Sequence, residues 1–282
     1  MELKKLNHEK VLSLFPERKT HAHKGDFGRI LLLCGSVGYT GAAALAAMGA
    51  LRCGAGLVYL GVPESIYVIE AVKLTEAMVF PLPEQDGKLS EAAVEEILRR
   101  LPQMDAVVIG PGLGQSFGVQ AVVRAVLGNA QCPVVLDADG INMIAAHKDI
   151  LRERHDCTIL TPHPGEFSRI WHASGEDRIA EATAFAREFG CILLLKGHET
   201  VITDGETVYI NPTGNPGMAT GGSGDVLSGM IGGLLGQGIP ALEAAACAAW
   251  LHGRAGDLCA ENLGMYAMLP SDMLQVLPRL MK

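Results

Sequence analysis

With 282 residues, 49% of them apolar and 19% charged, and with 34 glycines dispersed among apolar runs, the composition favours a single well-filled core and not a disordered or low-complexity chain. A net charge of −8 without a dense Lys/Arg cluster excludes a general nucleic-acid binder, and no apolar run reaches the roughly 18 residues of a membrane span. Seven cysteines, an odd number with no C-x-x-C pair, together with the lack of an export leader, fit a reducing, cytoplasmic setting.

Residues 1–22, with Lys4, Lys5, Lys10, Arg18 and Lys19, read as a mildly basic solvated arm. The first buried-strand pattern is Ile30–Cys34, which ends in Gly35-Ser36 and leads to a helix over Gly41–Arg52. Leu57–Leu60 is the next strand, followed after a gap by a helix over Ser90–Arg100. Ala106–Ile109 ends in Gly110-Pro-Gly-Leu-Gly114 before a helix over Gly118–Leu127. Val134–Leu136 ends in Asp137-Ala-Asp139, and Asp139 reads as the cap of a helix over Asp139–His147. Thr158–Leu160 ends in Thr161-Pro-His-Pro-Gly-Glu166, whose prolines fix the backbone before a helix with Glu166 in its first turn. A helix over Asp177–Phe189 precedes the strand Ile192–Leu195 and the run Lys196-Gly-His-Glu-Thr200. Val201–Thr203 and Val208–Ile210 read as a hairpin, and helices follow over Asp225–Leu235, Ala241–Ala260 and Ser271–Leu280.

Strands that are apolar throughout are buried on both faces, and their alternation with helices predicts βαβ units: a mainly parallel sheet, covered on both sides, in one domain spanning 1–282. Ligands in such sheets sit beyond the carboxyl ends of the strands, so the strand-end segments converge on one rim.

The segment Asn211 to Asp225 contains two glycine-rich stretches and opens a helix. Glycines at 221, 222 and 224 let backbone N–H groups point at a ligand, and with the positive end of the helix dipole they suit a phosphate. Asp225 is placed to accept a hydroxyl proton beside them, although an acid at a helix start also serves as a cap. The P-loop pattern is absent, and Gln115 breaks the dinucleotide-binding glycine spacing at Gly110–Gly114. There is neither zinc-type ligand spacing nor a readable Ser-His-Asp arrangement, and Trp250 and His252 read as packing residues on an Ala-rich helix.

The Asn-Pro-Thr-Gly-Asn and Gly-Gly-Ser-Gly-Asp runs resemble the ribokinase-like superfamily, and particularly its ADP- or ATP-dependent NAD(P)H-hydrate dehydratases. His23–Gly28, Gly38–Ala42, Arg52–Val58, Gly110–Gly114, Leu160–Glu166 and Lys196–Thr200 resemble that family in order and spacing. The resemblance implies a ribokinase-like three-layer sandwich and a lyase that removes water from the S form of hydrated NADH or NADPH, consuming ADP or ATP with Mg²⁺. It implies Asp225 as catalytic base, Ala42, Gly112 and His163 against the hydrated dinucleotide, and Lys196, Gly197, His198, Glu199 and Thr200 with Gly222–Gly224 against the nucleotide. Glu166 and Asn142 are the candidates for a metal ligand, and the ligand set is otherwise open. A homotetramer and a separate epimerase protein are further implications. Two alternatives stand beside it: a small-molecule kinase of the same superfamily, acting on a hydroxyethylthiazole or hydroxymethylpyrimidine, and a nucleotide sensor, which would need the glycine cradle but not Asp225.

Overall fold

The computed structural model describes residues 2–172 and 174–282. The chain opens with strand β1 (Glu2–Lys4) and helix α1 (His8–Leu12), and continues through β2 (Arg29–Leu33), α2 (Thr40–Arg52), β3 (Leu57–Pro63), α3 (Glu64–Lys73) and β4 (Met78–Leu82). A small hairpin, β5 (Glu84–Gln85) and β6 (Lys88–Leu89), precedes α4 (Ala93–Arg100), β7 (Ala106–Ile109), α5 (Phe117–Asn129), β8 (Val134–Leu136) and α6 (Asp139–Ile144). After β9 (Thr158–Leu160) come α7 (Pro164–Ile170), α8 (Arg178–Phe189), β10 (Ile192–Leu195), β11 (Thr200–Thr203) and β12 (Thr207–Asn211). Helices α9 (Ser223–Gly236), α10 (Ala241–Leu263) and α11 (Pro270–Leu280) complete the chain.

The strands form a ten-stranded sheet in the order β1-β12-β11-β10-β9-β8-β7-β2-β3-β4. All pairings are parallel except those of β11, which runs antiparallel to both β10 and β12. The inner strands β7, β8, β9 and β10 are buried at every position, as their unbroken apolar sequences predict. Where the chain turns back, β2 lies between β3 and β7, and this reversal of winding opens a crevice at the strand ends.

One face of the sheet is covered by α2, α9, α10 and α11, and the other by α4 through α8. On the first face α2 and α9 meet at backbone distance: a Cβ on Gly229 or Gly233 would collide with the backbone of Ala46 or Ala50. Both Ala-rich stretches are consumed inside the chain, with Ala43, Ala46, Ala47, Ala244, Ala245 and Ala248 fully buried. No disulfide links the seven cysteines; six are buried and Cys157 is half-buried.

Three features differ from the sequence expectation. The basic arm begins with β1, which pairs with β12, and α1 buries Val11 and stacks His8 on Trp250 with ring centroids 5.6 Å apart. Strand β4 is an edge strand containing Pro81 and is only partly buried, so it lacks the continuous apolar signature. Helix α3 exposes Val68, Ile69 and Val72, and apolar residues on its outer side blur the helical period.

Candidate active site

The crevice at the reversal of winding is bounded by the loops after β2 and β7. They are tied together: the Gly35 N–H donates to Pro111 O at 2.8 Å and the Ser36 hydroxyl to Gly112 O at 2.7 Å. Gly112, at φ +64°, packs against α2 so closely that a Cβ there would lie 2.8 Å from the Ala42 Cβ. Because Ala46 faces Gly229 and Ala50 faces Gly233, α2 and α9 run parallel. The same register carried one turn toward the N-termini sets Ala42 level with Asp225, so both helices deliver their first turns to one spot.

Helix α9 starts from Gly222 at φ +98°, a left-handed conformation natural to glycine, and its N-cap makes no side-chain hydrogen bond. Among the described residues the Gly224 and Asp225 N–H groups find no acceptor in the chain. Unpaired first-turn donors at the positive end of a 14-residue helix form an anion site. Gly224 lies close over the charge cluster, since a Cβ there would sit 3.2 Å from the Lys196 ammonium.

Beneath that turn lies a charge cluster. Lys196 donates to Asp137 Oδ1 at 2.9 Å and stands 4.0 Å from Glu166 Oε2. Asp137 is 1% exposed, and its other oxygen accepts from the Ser228 hydroxyl at 2.5 Å. Burial works against the Lys196 charge, but Asp137, Glu166 and Asp225 outweigh it and hold its pKa above the ordinary value. Asp225 has the opposite balance: burial, reinforced by the Asp137 charge and only partly offset by Lys196, pushes its carboxyl up to about 6. That value suits a general base working near neutrality. His252 lies at the back of the turn, its Nε2 3.4 Å from the Ser223 hydroxyl, and burial pushes its pKa down to about 4, leaving a neutral imidazole.

Several expected residues occupy other roles in this geometry. Asp139 is not the cap of α6; the N-cap is Ala138, strained at φ +48°, while the Asp139 carboxylate accepts from the Gly114 N–H at 2.8 Å and braces the Gly110–Gly114 loop. Asp225 is the third residue of α9 and not its cap. Glu166 accepts from the His163 N–H at 2.9 Å, while His163 Nδ1 accepts from the Gly165 and Glu166 N–H groups at 3.0 and 3.3 Å. The pair is a reciprocal cap of α7, and it leaves the exposed His163 ring at the rim. Asn142 faces α7, its side-chain oxygen accepting from Arg169 at 2.7 Å. Lys196 is committed to Asp137 under the turn, and Gly197–Thr200 form the loop that enters β11.

Sequence reading missed the parts that act through others. Arg178 donates to His198 O at 2.7 Å and to Leu195 O and Lys196 O at 3.2 and 3.3 Å, clamping the Lys196–Glu199 loop, in which Glu199 adopts φ +52°. Ser228 meets Asp137 across 91 positions of sequence, and His252, read as a packing residue, meets Ser223 across 29. The Asn211–Asn215 run is pinned to α10: the Thr213 hydroxyl donates to Trp250 O at 3.0 Å and Asn215 donates to Asp257 at 3.1 Å. Among the described residues no group of three acidic, His or Cys side chains could cage a metal.

A parallel sheet wound in both directions, with an anion-binding helix start and a raised carboxylate at its crevice, defines a ribokinase-like α/β protein. A family profile described as NAD(P)H-hydrate dehydratase matches residues 30–279. The chain belongs to the NAD(P)H-hydrate dehydratase family. It is 37% identical over 282 residues to the ADP-dependent (S)-NAD(P)H-hydrate dehydratase of Bacillus subtilis, covering 97% of this chain and 96% of that one. The crystal structure of the B. subtilis ADP/ATP-dependent NAD(P)H-hydrate dehydratase co-crystallised with ATP/Mg²⁺ superposes with a TM-score of 0.82 at 33% identity, covering 97% and 96% of the two chains. The bifunctional NAD(P)H-hydrate repair enzyme Nnr of Moorella thermoacetica is 47% identical over 277 residues, 96% of this chain but 52% of the relative. The chain thus spans about half the length of that relative and of several similar bifunctional ones.

Proposed function

We propose that this chain dehydrates the S form of hydrated NADH or NADPH, using ADP or ATP to phosphorylate the hydrate's hydroxyl and then losing phosphate to restore the reduced coenzyme. One observation carries the reading: a carboxylate raised to about 6 sits in the first turn of α9, beside the free Gly224 and Asp225 N–H groups and level with Ala42. Asp225 takes the hydroxyl proton as the oxygen attacks the terminal phosphorus of the nucleotide. The N–H groups hold the transferred group's oxygens, and AMP or ADP departs. The ring nitrogen of the tetrahydropyridine then pushes its electron pair onto the adjacent carbon, the C–O bond breaks as inorganic phosphate leaves with its bonding pair, and loss of a proton from the next ring carbon to solvent restores the dihydropyridine.

Ala42, Gly112 and His163 line the dinucleotide side, and the Arg178-clamped loop from Gly197 to Thr200 lines the nucleotide side. Asp137 and Glu166 have oxygens committed to Lys196, Ser228 and His163, which leaves Asp225 as the free carboxylate. Mg²⁺ would therefore be held mainly through the nucleotide, with Asp225 as the carboxylate free to face it, and would supply neutralisation of phosphate charge there. The finer terms of the proposal are a cytoplasmic homotetramer served by a separate epimerase; the unpaired cysteines support a reducing compartment. No helix among the described residues is long and apolar enough to cross a membrane.

The test is recovery of reduced-nicotinamide absorbance from the S hydrate with Mg²⁺ and either ADP or ATP. Absence of recovery with both nucleotides overturns the proposal.

A further inference from the structure

Beyond the crevice lies a cavity of about 240 Å³ between the β5–β6 hairpin and the start of α5. It is too small for a dinucleotide, since pockets that enclose drug-sized ligands run to about 300–1,000 Å³, but it is of a size for one nucleoside. Its walls include Asp86, Lys88, Ser90, Glu91, Ser116 and Phe117.

The cavity is coupled to the substrate side of the crevice. The Val37 N–H donates to Gly87 O at 2.9 Å, which hangs the hairpin on the loop after β2. The Lys88 stem lies on Gly114, where a Cβ would be 2.8 Å from Lys88 Cε, so the loop whose Gly112 meets Ala42 forms the partition between the two spaces. Gly118 lets α5 close on the hairpin, because a Cβ there would come within 2.7 Å of Leu89 O and the Ser90 Cα. Along this path large apolar side chains face solvent: Tyr39 is 61% exposed, Val37 57% and Phe117 73%. An aromatic ring in the first turn of a helix, on a cavity wall and uncovered, is a stacking platform without its base.

Charge around the cavity is ordered. Lys88, on the partition, forms no ion pair among the described residues and is the cation available to a diphosphate crossing from the crevice. Asp86 and Glu91 are acceptors suited to ribose hydroxyls, and they oppose a phosphate on that ribose, which is how acidic residues distinguish the two nicotinamide dinucleotides in other folds.

We infer that this cavity is the adenosine subsite of the dinucleotide, with Phe117 against the base, and that it favours the ribose without a 2′-phosphate. The inference rests on the proposed dehydratase reading for its ligand, but its test needs no turnover. A Gln85→Cys variant places a thiol on the exposed wall of the cavity, and its alkylation is followed at that peptide by mass spectrometry with NADH, NADPH, or ATP with Mg²⁺ present.

NADH is expected to slow labelling at least fivefold, ATP with Mg²⁺ to leave it unchanged, and NADPH to require about tenfold more ligand, the scale of one lost favourable contact. Phe117→Ala in the same background should weaken NADH protection roughly tenfold, the scale of one base–aromatic stack. Asp86→Asn with Glu91→Gln should bring the two dinucleotides within about twofold. Labelling indifferent to NADH overturns the subsite, and NADPH protecting at equal or lower concentration overturns the selection. Hydrate turnover without NADH protection removes the subsite alone, whereas protection without turnover supports the subsite and removes the dehydratase reading.

Discussion

On one face of the sheet α2 and α9 meet over Ala43, Ala46, Ala47, Ala50, Gly229 and Gly233, while on the other α5, α7 and α8 fill the space with Val122, Val126, Leu127, Phe167, Phe185 and Phe189. The large side chains of the second face follow the usual logic of burial, in which each contributes about 1.5–3 kcal/mol by leaving water. The small residues of the first face contribute little area apiece and serve position. They let two helices lie backbone to backbone, so that Ala42 and Asp225 arrive together at the crevice. Larger side chains such as Met230, Ile231, Leu234 and Leu251 stabilise the first face as well, and its small residues add alignment to that burial.

The largest effect that tests this division is at the site itself. Asp225→Asn removes the base and should lower kcat about 10³-fold, within the range for general-base catalysis, while the nucleotide still binds; retained turnover would take Asp225 out of the mechanism. Next come paired changes away from the site. Leu127→Ala, on the large-residue face, should cost about 2–5 kcal/mol in denaturant unfolding and leave kcat per folded molecule unchanged. Gly229→Ala, on the small-residue face, should cost about 1–3 kcal/mol through overpacking against the Ala46 backbone and also lower kcat roughly tenfold. Equal kcat in the two variants would break the division.

The smallest effect is in pH. The folded-state pKa of Asp225 is raised to about 6 from the ordinary 3.8, so its contribution is present below about pH 4 and is lost as pH rises through 6. His252, pushed down to about 4 from 6.5, has the opposite sign: its contribution is present above about 6.5 and is lost as pH falls through 4. The two oppose each other between pH 4 and 6. Asp225→Asn removes only the first, so the variant should gain on the wild type across that window and be more stable by roughly 2–4 °C in Tm per kcal/mol above it. A constant difference across the window would show that the Asp225 carboxyl is not raised.

Much of this architecture was legible in advance because buried parallel strands advertise themselves. Ile30–Cys34, Ala106–Ile109, Val134–Leu136 and Ile192–Leu195 are apolar at every position, and each is followed by a glycine, an acid or a lysine that belongs to the rim. The phosphate turn was legible for the same local reason. What escaped is non-local or compromised: Arg178 acts on carbonyls of residues 195–198, Ser228 reaches Asp137 across 91 positions of sequence, and β4 is interrupted by Pro81 at an edge. Asp139 misled because an acid at a helix start is normally a cap, whereas here a strained Ala138 holds that position and frees the carboxylate for a neighbouring loop.

The buried cysteines have a kinetic consequence. Burial pushes the thiols of Cys132 and Cys157 up to about 11 and that of Cys247 to about 12, so at pH 8 almost none exists as the thiolate that reacts with alkylating agents. Labelling of the native protein must wait for an opening event that wets the site, and its rate then reads how often that event occurs. Cys34, Cys53, Cys247 and Cys259 belong to the small-residue face, and Cys132 and Cys191 to the other. The molecule therefore carries two sets of silent clocks, one in each layer, and the order in which they start ticking in mild denaturant records which layer lets go first.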